Sequence, residues 1–334
     1  MKDFRYARAT DIASALATLH HDDTTVIAGG TELLNWYRLG IATEGNVLDI
    51  GGVQGLRDIT REGDELVIGA LATLNDVAAH PTVNGGAGVL SSACRQAASA
   101  QLRNRATMGG NVLQRTRCPY FRAEEPLPWG CNKRTPGTGC SSLTGQHERQ
   151  AIFGWTDDCV AVHPSDPAVA LAALDAQIEV ASAAELRSIP MTQFHLSQQE
   201  AAATGDPRRE SRLEPGELIT GYRLRLRPDE AQAYVKVRER ASYEYAIVSA
   251  AAVVRISHGV IAAARLALGS VAQRPWRLYE AESQLVGLPL HRNAVLPVVE
   301  RALSASDPLP DNGFKAMLAA RAAVRALLTA GGAA

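Results

Sequence analysis

Directly after a short apolar run, the chain carries the stretch Ile27-Ala28-Gly29-Gly30-Thr31-Glu32-Leu33-Leu34. We predict a strand over Thr24–Ala28, a tight turn at the two glycines, an amphipathic segment over Glu32–Leu39 and a second strand over Asn46–Ile50. This is a small β-turn-α-β unit. Because glycine has no Cβ, the amides of such a turn can approach a phosphate, and the following helix N-terminus adds a favourable dipole. On its own the pattern favours a plain tight turn, since it is neither a Walker loop nor G-x-G-x-x-G.

A second glycine pair lies in Arg103–Val112, which reads R-N-R-A-T-M-G-G-N-V. We predict a glycine turn that cannot be a helix interior. Two separate glycine turns could clamp the two ends of a pyrophosphate between subdomains. They make a dinucleotide ligand more credible than one turn would, although a purely structural turn is again the alternative.

Composition limits the class of protein. The 334 residues suggest two or three domains, and 46% hydrophobic with 21% charged residues is typical of a globular chain. Lys+Arg minus Asp+Glu is 34 − 35 = −1, so no basic excess indicates nucleic acid. Apolar runs such as Ala246–Val254 are about half as long as a membrane span requires. The start, M-K-D-F-R-Y, lacks an apolar core, so we expect no secretory signal.

Four cysteines cluster in or beside one long predicted loop, Arg115–Asp158: they are Cys118, Cys131, Cys140 and Cys159. Glycine, proline and basic residues surround them. Four thiolates suit a four-iron cluster or a structural zinc. The spacing shows neither paired C-x₂-C knuckles nor the close ferredoxin run. Four free thiols are the remaining alternative. Cys94 lies in an apolar helical stretch, and we interpret it as a packed core residue.

The fold class follows from the order of elements. A mixed α/β pattern ends near residue 225, and strands followed by three helical segments come after it. We therefore predict an α+β chain. Asp166 precedes a predicted helix and is well placed to cap it.

Taken together, these motifs resemble one family. A-G-G-T-E-L-L, R-N-x-A-T-x-G-G-N and the A-x-x-P-S-D stretch from Ala161 to Ala176 resemble the FAD-binding (medium) subunit of the xanthine dehydrogenase-like molybdenum hydroxylases, from about Tyr6 to Leu327. R-T-R-C-P-Y-F and C-N-K-R-x-P-G-x-G-C resemble the FAD subunit of periplasmic aldehyde oxidoreductases, which carries an extra [4Fe–4S] cluster.

The resemblance implies site residues. Asp166 would hold FAD ribose or ribityl hydroxyls, and Ile219 and Lys236 would lie close to the isoalloxazine. The pyrophosphate and its surroundings would be held by Ile27, Ala28, Gly29, Gly30, Thr31, Glu32, Leu33, Leu34, Thr107, Gly110 and Asn111. The [4Fe–4S] cluster would be ligated by Cys118, Cys131, Cys140 and Cys159.

The resemblance also implies an architecture: a two-subdomain FAD-binding domain of the vanillyl-alcohol-oxidase (PCMH) type. Subdomain 1 would span 1–55, and subdomain 2 would span 56–224 with the cysteine-rich loop 115–160. A C-terminal domain of the CO-dehydrogenase-flavoprotein type, 225–330, would contain a three-stranded antiparallel sheet and a helix bundle.

The implied function is electron transfer. A molybdopterin-containing large subunit would oxidise aldehydes to carboxylic acids, and a small subunit with two [2Fe–2S] clusters would pass the electrons to FAD in this chain and on to an external acceptor. This chain would hold no residue catalytic for the substrate. It would reach the periplasm by co-export with a partner, with the cytoplasm as the alternative.

Three alternatives stay open. The first is the FAD subunit of a related hydroxylase or reductase acting on aromatic or N-heterocyclic substrates. The second is a zinc-stapled, non-catalytic binding protein in which the glycine turns are only turns. The third is a self-contained FAD oxidase of the same fold.

Overall fold

The computed structural model describes residues 3–20 and 23–332. Its first unit contains β1 (Arg5–Arg8), α1 (Ile12–Leu19), β2 (Thr24–Ile27), α2 (Leu33–Arg38) and β3 (Asn46–Asp49). The three strands form a parallel sheet in the order β1-β3-β2. The predicted β-turn-α-β unit is therefore confirmed. The sequence did not predict β1, because all four of its residues are exposed and lack an apolar alternation.

The second unit is an antiparallel sheet with helices on it. Its sheet has five strands in the order β4-β5-β8-β6-β7. The elements are β4 (Ile59–Glu62), β5 (Glu65–Gly69), α3 (Leu74–Ala79), α4 (Pro81–Gly86), α5 (Gly88–Gln96), α6 (Ala100–Arg103), α7 (Met108–Val112), α8 (Asp166–Ala173), β6 (Gln177–Ala181), β7 (Leu186–Pro190), α9 (Met191–Phe194), α10 (Gln198–Ala203) and β8 (Leu218–Arg225). Cys94 is fully buried in this core, as predicted.

Helix α7 corrects one prediction. Gly109 and Gly110 lie inside this short helix, not in a glycine turn outside any helix. Thr107 caps it, since its hydroxyl accepts a hydrogen bond from the Gly110 amide. A Cβ on Gly109 would lie 3.3 Å from the Cβ of Ala70. Close packing against the neighbouring backbone therefore explains glycine at this position better than the need for a turn does.

The third unit is a second antiparallel sheet covered by helices. It contains β9 (Ala231–Val237), β10 (Val248–Ser257), β11 (Val260–Gly269), β12 (Trp276–Arg277), α11 (Tyr279–Leu285), α12 (Arg292–Leu303) and α13 (Phe314–Ala330). The three predicted strands are present, and the two-residue β12 adds a fourth at the edge of the sheet beside β11. Helix α13 packs on β9 and β10 and forms much of the local core. The chain is thus a mixed α+β protein, as predicted.

Residues 113–165, all of them described, form neither helix nor strand, so the predicted long loop is confirmed. We call this segment the cysteine loop. Isolated bridges join Cys131 to Cys140 and Thr156 to Cys159. The fully buried Lys315 of α13 holds residues 149 and 150 of the loop, because its Nζ donates to the carbonyls of Arg149 (3.0 Å) and Gln150 (2.6 Å).

Within the described residues, no helix combines the length and the apolar character that crossing a membrane requires.

Candidate cofactor sites

A cavity of about 820 Å³ lies where the glycine turns, the H-P-S-D segment (His163–Asp166) and the loop between β9 and β10 meet. That volume is within the range of sites for small molecules and cofactors. The predicted residues Ala28, Gly29, Gly30, Thr31, Glu32, Leu33, Thr107, Gly110, Asn111, Asp166 and Ile219 all line it. The structure therefore brings together most of the residues that the sequence singled out.

The first glycine turn presents unused backbone donors. Within the described part of the chain, none of the six amides from Gly29 to Leu34 donates a hydrogen bond to a protein acceptor. Gly29 is required here, because a Cβ at this position would lie 1.9 Å from the carbonyl oxygen of Arg105. Gly30 adopts a φ of +72°, which favours glycine. A row of free amides at the start of a helix suits a phosphate group.

The second glycine pair is different, because its amides are already used. Met108 N donates to Ala72 O (2.9 Å), Gly109 N donates to Ala70 O (2.9 Å), and the amides of Gly110 and Asn111 donate to Thr107. The second glycine pair can therefore contact a ligand only through a neighbouring side chain, that of Asn111. Since Oδ1 of Asn111 accepts a hydrogen bond from Ser165 Oγ (2.6 Å), the Nδ2 group of Asn111 is left for the cavity.

Asp166 is a buried carboxylate at the wall of the cavity. It is the first residue of α8 and does not cap it; Ser165 does, since its hydroxyl accepts from Ala168 N. Two donors from β9 hold Asp166: Tyr234 Oη (2.6 Å) and Lys236 Nζ (2.8 Å). Burial raises the pKa of Asp166, while Lys236 and Tyr234 act to lower it.

Three predicted residues lie outside the lining of the cavity. Lys236 lies behind Asp166, where its Nζ also donates to Gln96 O (3.0 Å). Ile27 and Leu34 flank Gly30, and a Cβ on that glycine would lie 3.5 and 3.6 Å from their Cδ1 atoms. These three residues therefore adjoin residues of the lining without lining the cavity themselves.

Two histidines of the cavity wall escaped the sequence reasoning. The rings of His163 and His195 lie 4.0 Å apart. Nε2 of His195 lies 2.8 Å from Val112 O and donates to it, whereas His163 Nε2 and His195 Nδ1 are buried and have no partner among the described residues. Burial lowers the pKa of both, that of His195 to about 4, so both are neutral at pH 7. His163 stands in the H-P-S-D motif, but nothing in the sequence singled out His195.

The four clustered cysteines line one small cavity of about 10 Å³, roughly the space of one water molecule. The thiol of Cys159 donates to the sulfur of Cys140, which lowers the pKa of Cys140 to about 6 and raises that of Cys159. Burial raises the pKa of Cys118 and Cys131. Among the described residues, no three Cys, His, Asp or Glu converge closely enough for a single metal ion. Four sulfur donors thus line one cavity, which must widen before it can accept a metal group.

One lysine, Lys133, lines this cavity. The Nζ of Lys133, whose side chain is 1% exposed, lies 2.9 Å from Glu210 Oε1. Arg115 Nε donates to Glu210 Oε2 at 3.0 Å. Burial alone would raise the pKa of Glu210, but Arg115 and Lys133 hold it at about 2. Lys133 also acts to lower the pKa of Cys159. A buried cation beside four thiols favours their deprotonation and metal binding.

Comparisons with known proteins identify the family of this chain. Residues 2–224 match the family model described as the FAD binding domain in molybdopterin dehydrogenase. Residues 232–330 match the CO dehydrogenase flavoprotein C-terminal domain. Together the two models account for nearly the whole chain.

Full-length relatives support the same assignment. The chain is 39% identical to the aldehyde oxidoreductase FAD-binding subunit PaoB of Escherichia coli, over 96% of each protein. It is 24% identical to the glyceraldehyde dehydrogenase medium chain of Sulfolobus acidocaldarius, over 93% of this chain and 90% of that one.

Solved structures share the fold. A chain of carbon monoxide dehydrogenase from Hydrogenophaga pseudoflava matches with a TM-score of 0.77 at 24% identity, covering 99% of this chain and 98% of its own. A chain of quinoline 2-oxidoreductase from Pseudomonas putida matches with a TM-score of 0.76 at 23% identity, and the match covers 100% of this chain and 99% of the other. With two matching family models and a relative of 39% identity over its length, this chain belongs to the FAD-binding medium subunits of the molybdenum hydroxylases, as an oxidoreductase subunit.

Proposed function

We propose that this chain is the FAD- and [4Fe–4S]-carrying electron-transfer subunit of a heterotrimeric molybdenum hydroxylase that oxidises aldehydes to carboxylic acids. The observation that carries the proposal is the row of six free amides from Gly29 to Leu34 beside an 820 Å³ cavity, in a chain of this family. The 39% identity to an aldehyde oxidoreductase subunit favours aldehydes as the substrates of the complex.

Each part of the cavity suits one part of FAD. The amides from Gly29 to Leu34 would bind the pyrophosphate, and the Nδ2 group of Asn111 would add a donor from the facing side. The carboxylate of Asp166 would accept hydrogen bonds from ribose or ribityl hydroxyls, because two of its acceptor positions remain after Tyr234 and Lys236. Apolar Ile219 would cover the ring system. The flavin supplies the electron-accepting and electron-donating chemistry, and the chain supplies binding and orientation.

Lys236 has an indirect role in this proposal. It neutralises Asp166 from behind and does not touch the cavity, so it would keep the carboxylate charged at neutral pH. Thr107 and Gly110 would likewise act by keeping Asn111 in place at the first turn of α7.

We further propose that Cys118, Cys131, Cys140 and Cys159 ligate a [4Fe–4S] cluster, a one-electron carrier. Their convergence on one cavity with the buried Lys133 supports this ligand set. The spacing of the four cysteines in the chain, which lacks paired C-x₂-C knuckles, favours a cluster over a structural zinc. No helix or strand of the cysteine loop opposes the widening that a cluster demands.

The proposed complex contains a molybdopterin-bearing large subunit and a small subunit with two [2Fe–2S] clusters. Electrons from the large subunit would pass through the small one to FAD here and then to an external acceptor. In this proposal the chain divides into a first FAD-binding subdomain (1–55), a second one (56–224) with the cysteine-rich loop 115–160, and a C-terminal domain (225–330). The complex would be co-exported to the periplasm.

Purification of the tagged chain with its partners, followed by metal and flavin analysis, tests the proposal. We expect flavin, iron and molybdenum together, and aldehyde oxidation by the complex but not by this chain alone. A colourless chain with stoichiometric zinc would favour the stapled binding protein. Aldehyde turnover by the isolated flavoprotein would favour the self-contained oxidase.

The fold shared with quinoline 2-oxidoreductase favours a second candidate, a complex that hydroxylates N-heterocycles. A comparison of kcat/KM for aromatic aldehydes and for N-heterocycles on the purified complex separates the two. We expect the aldehydes to be preferred.

A further inference from the structure

Glu32 belongs to the first glycine turn, but its carboxylate is engaged by the cysteine loop. Oε2 accepts a hydrogen bond from Arg117 Nη2 at 2.8 Å. Oε1 accepts from Trp36 Nε1 at 3.0 Å and from Arg122 Nη2. The side chain of Glu32 is only 16% exposed. Both oxygens of this carboxylate are therefore occupied by protein donors.

The two arginines flank Cys118 in the sequence and hold the backbone around it. Arg122 donates to the carbonyls of Thr116 (2.8 Å) and Arg115 (2.9 Å). Arg117 donates to the side chain of Gln114, and its guanidinium lies 4.4 Å from the ring centre of Tyr245 in the loop between β9 and β10. Glu32 thus joins the glycine turn to the part of the cysteine loop that carries its first cysteine.

The charges make the ion pairs of Glu32 with Arg117 and Arg122 depend on all three side chains. Two guanidinium groups share one carboxylate, and the three side chains are between 13% and 25% exposed. Without Glu32, two cations would face each other with little solvent. Replacing Glu32 would therefore displace the arginines and the backbone that they hold.

We propose that Glu32 is a positioning residue that couples the two cofactor sites of this chain. Its own amide is one of the six free donors of the glycine turn, while its carboxylate holds both arginines beside Cys118. The inference rests on the proposed function, since it requires FAD in one site and a cluster in the other. Coupling of this kind is reciprocal: if the bound cluster tightens FAD binding by some factor, bound FAD tightens cluster binding by the same factor.

A double-mutant cycle on the full chain tests this coupling. The dissociation constant of FAD is measured by flavin fluorescence on the deflavinated wild type, Glu32→Gln, Cys118→Ala and the double variant. We expect each single change to weaken FAD binding about fivefold or more, a typical factor for coupled sites. The dissociation constant of FAD for the double variant should equal that of whichever single variant binds FAD more weakly, because both changes break the same connection.

Release of iron to a chelator reports the effect of FAD on the cysteine loop. Bound FAD should slow iron release from the wild type and should not slow it from Glu32→Gln. Glu125→Gln is the matched control: Glu125 pairs with Arg134 in the same loop but is not part of the glycine turn. It should leave FAD affinity unchanged. Arg117→Gln replaces Glu32→Gln if thermal unfolding shows that the latter is misfolded.

If the two substitutions weaken FAD binding by factors that multiply in the double variant, the inference is overturned, because Glu32 would then affect FAD independently of the cysteine loop. An FAD-independent rate of iron release in the wild type would overturn it as well. A wild-type chain that binds FAD but contains no iron would instead refute the cluster itself, and that result is seen before any variant is compared.

Discussion

The two candidate cofactor cavities of this chain differ in how the fold forms them. The flavin cavity encloses about 820 Å³ and takes its walls from all three units, with backbone amides and a buried carboxylate already in place. The cysteine cavity encloses about 10 Å³ within one irregular loop. The difference indicates that packing preforms the flavin site, whereas the cluster itself would order the cysteine site.

Cysteine replacement should give the largest effect on the loop-built site. We expect Cys140→Ala or Cys159→Ala to abolish the four-iron cluster, because the remaining three thiols leave one iron without its cysteine ligand. Iron and acid-labile sulfide assays and electron paramagnetic resonance check the loss. Flavin should still bind, more weakly. Cys94→Ala is the control, since Cys94 is buried in the core away from the cavity, and it should keep its iron. Equal iron loss in the control would count against this ligand set.

Gly29→Val should break the preformed site. The new Cβ would lie 1.9 Å from Arg105 O, so the turn must move and its free amides lose their alignment. We expect FAD affinity to fall at least about tenfold, or about 1.4 kcal/mol in binding free energy, measured by flavin fluorescence. Gly85→Ala is the control, because a Cβ there meets no atom within 4 Å. Unchanged FAD affinity in Gly29→Val would contradict a phosphate-binding role for the turn.

Lys236→Met tests the support behind the flavin cavity. Lys236 and Asp166 are 1% and 5% exposed, so the change leaves a buried carboxylate with its main counter-charge removed, at a cost of about 3–5 kcal/mol. Urea unfolding measures this loss of stability. Loss of Lys236 raises the pKa of Asp166 further above 3.8, so the deficit grows as pH rises from about 4 to neutrality. Lys236→Met with Asp166→Asn should recover stability. A deficit independent of pH and of Asp166 would mean that lost packing dominates.

Glu210→Gln should give a smaller effect on the cysteine loop. A fifth of the Glu210 side chain is exposed, and we expect a loss of about 1–3 kcal/mol at neutral pH. Its pKa is lowered from 4.5 to about 2, so its contribution is present above pH 4.5 and disappears as pH falls towards 2. The difference in unfolding free energy between wild type and variant should shrink across that interval. A constant difference would exclude the ion pairs with Arg115 and Lys133 as its cause.

The parts of the fold that the sequence could predict are those whose signals lie close together in the chain. The β-turn-α-β unit around Gly29 was predictable because apolar strands, two glycines and an amphipathic helix are adjacent in the chain. The sheet of β9, β10 and β11 was predictable from its long strands rich in apolar residues. β1 was missed because it is short and exposed, and its pairing with β3 spans about 40 residues.

Contacts distant in sequence account for the other differences. Gly109 and Gly110 lie in a helix because Thr107 caps it and Ala70 packs against it. Lys236, which the resemblance places close to the isoalloxazine, donates to Asp166, 70 residues away in the chain. The four cysteines could be grouped by position in the chain, whereas the cation beside them, Lys133, takes its partner Glu210 from beyond α10.

We propose that one chain holds FAD in the cavity built by the fold and an iron cluster in the cavity built by the loop. Quantifying flavin, iron, labile sulfide and zinc on the anaerobically purified full chain tests this proposal. We predict about one FAD, about four iron and about four sulfide per chain, with the iron lost in Cys140→Ala. Stoichiometric zinc without iron, or iron that persists in that variant, would contradict the claim.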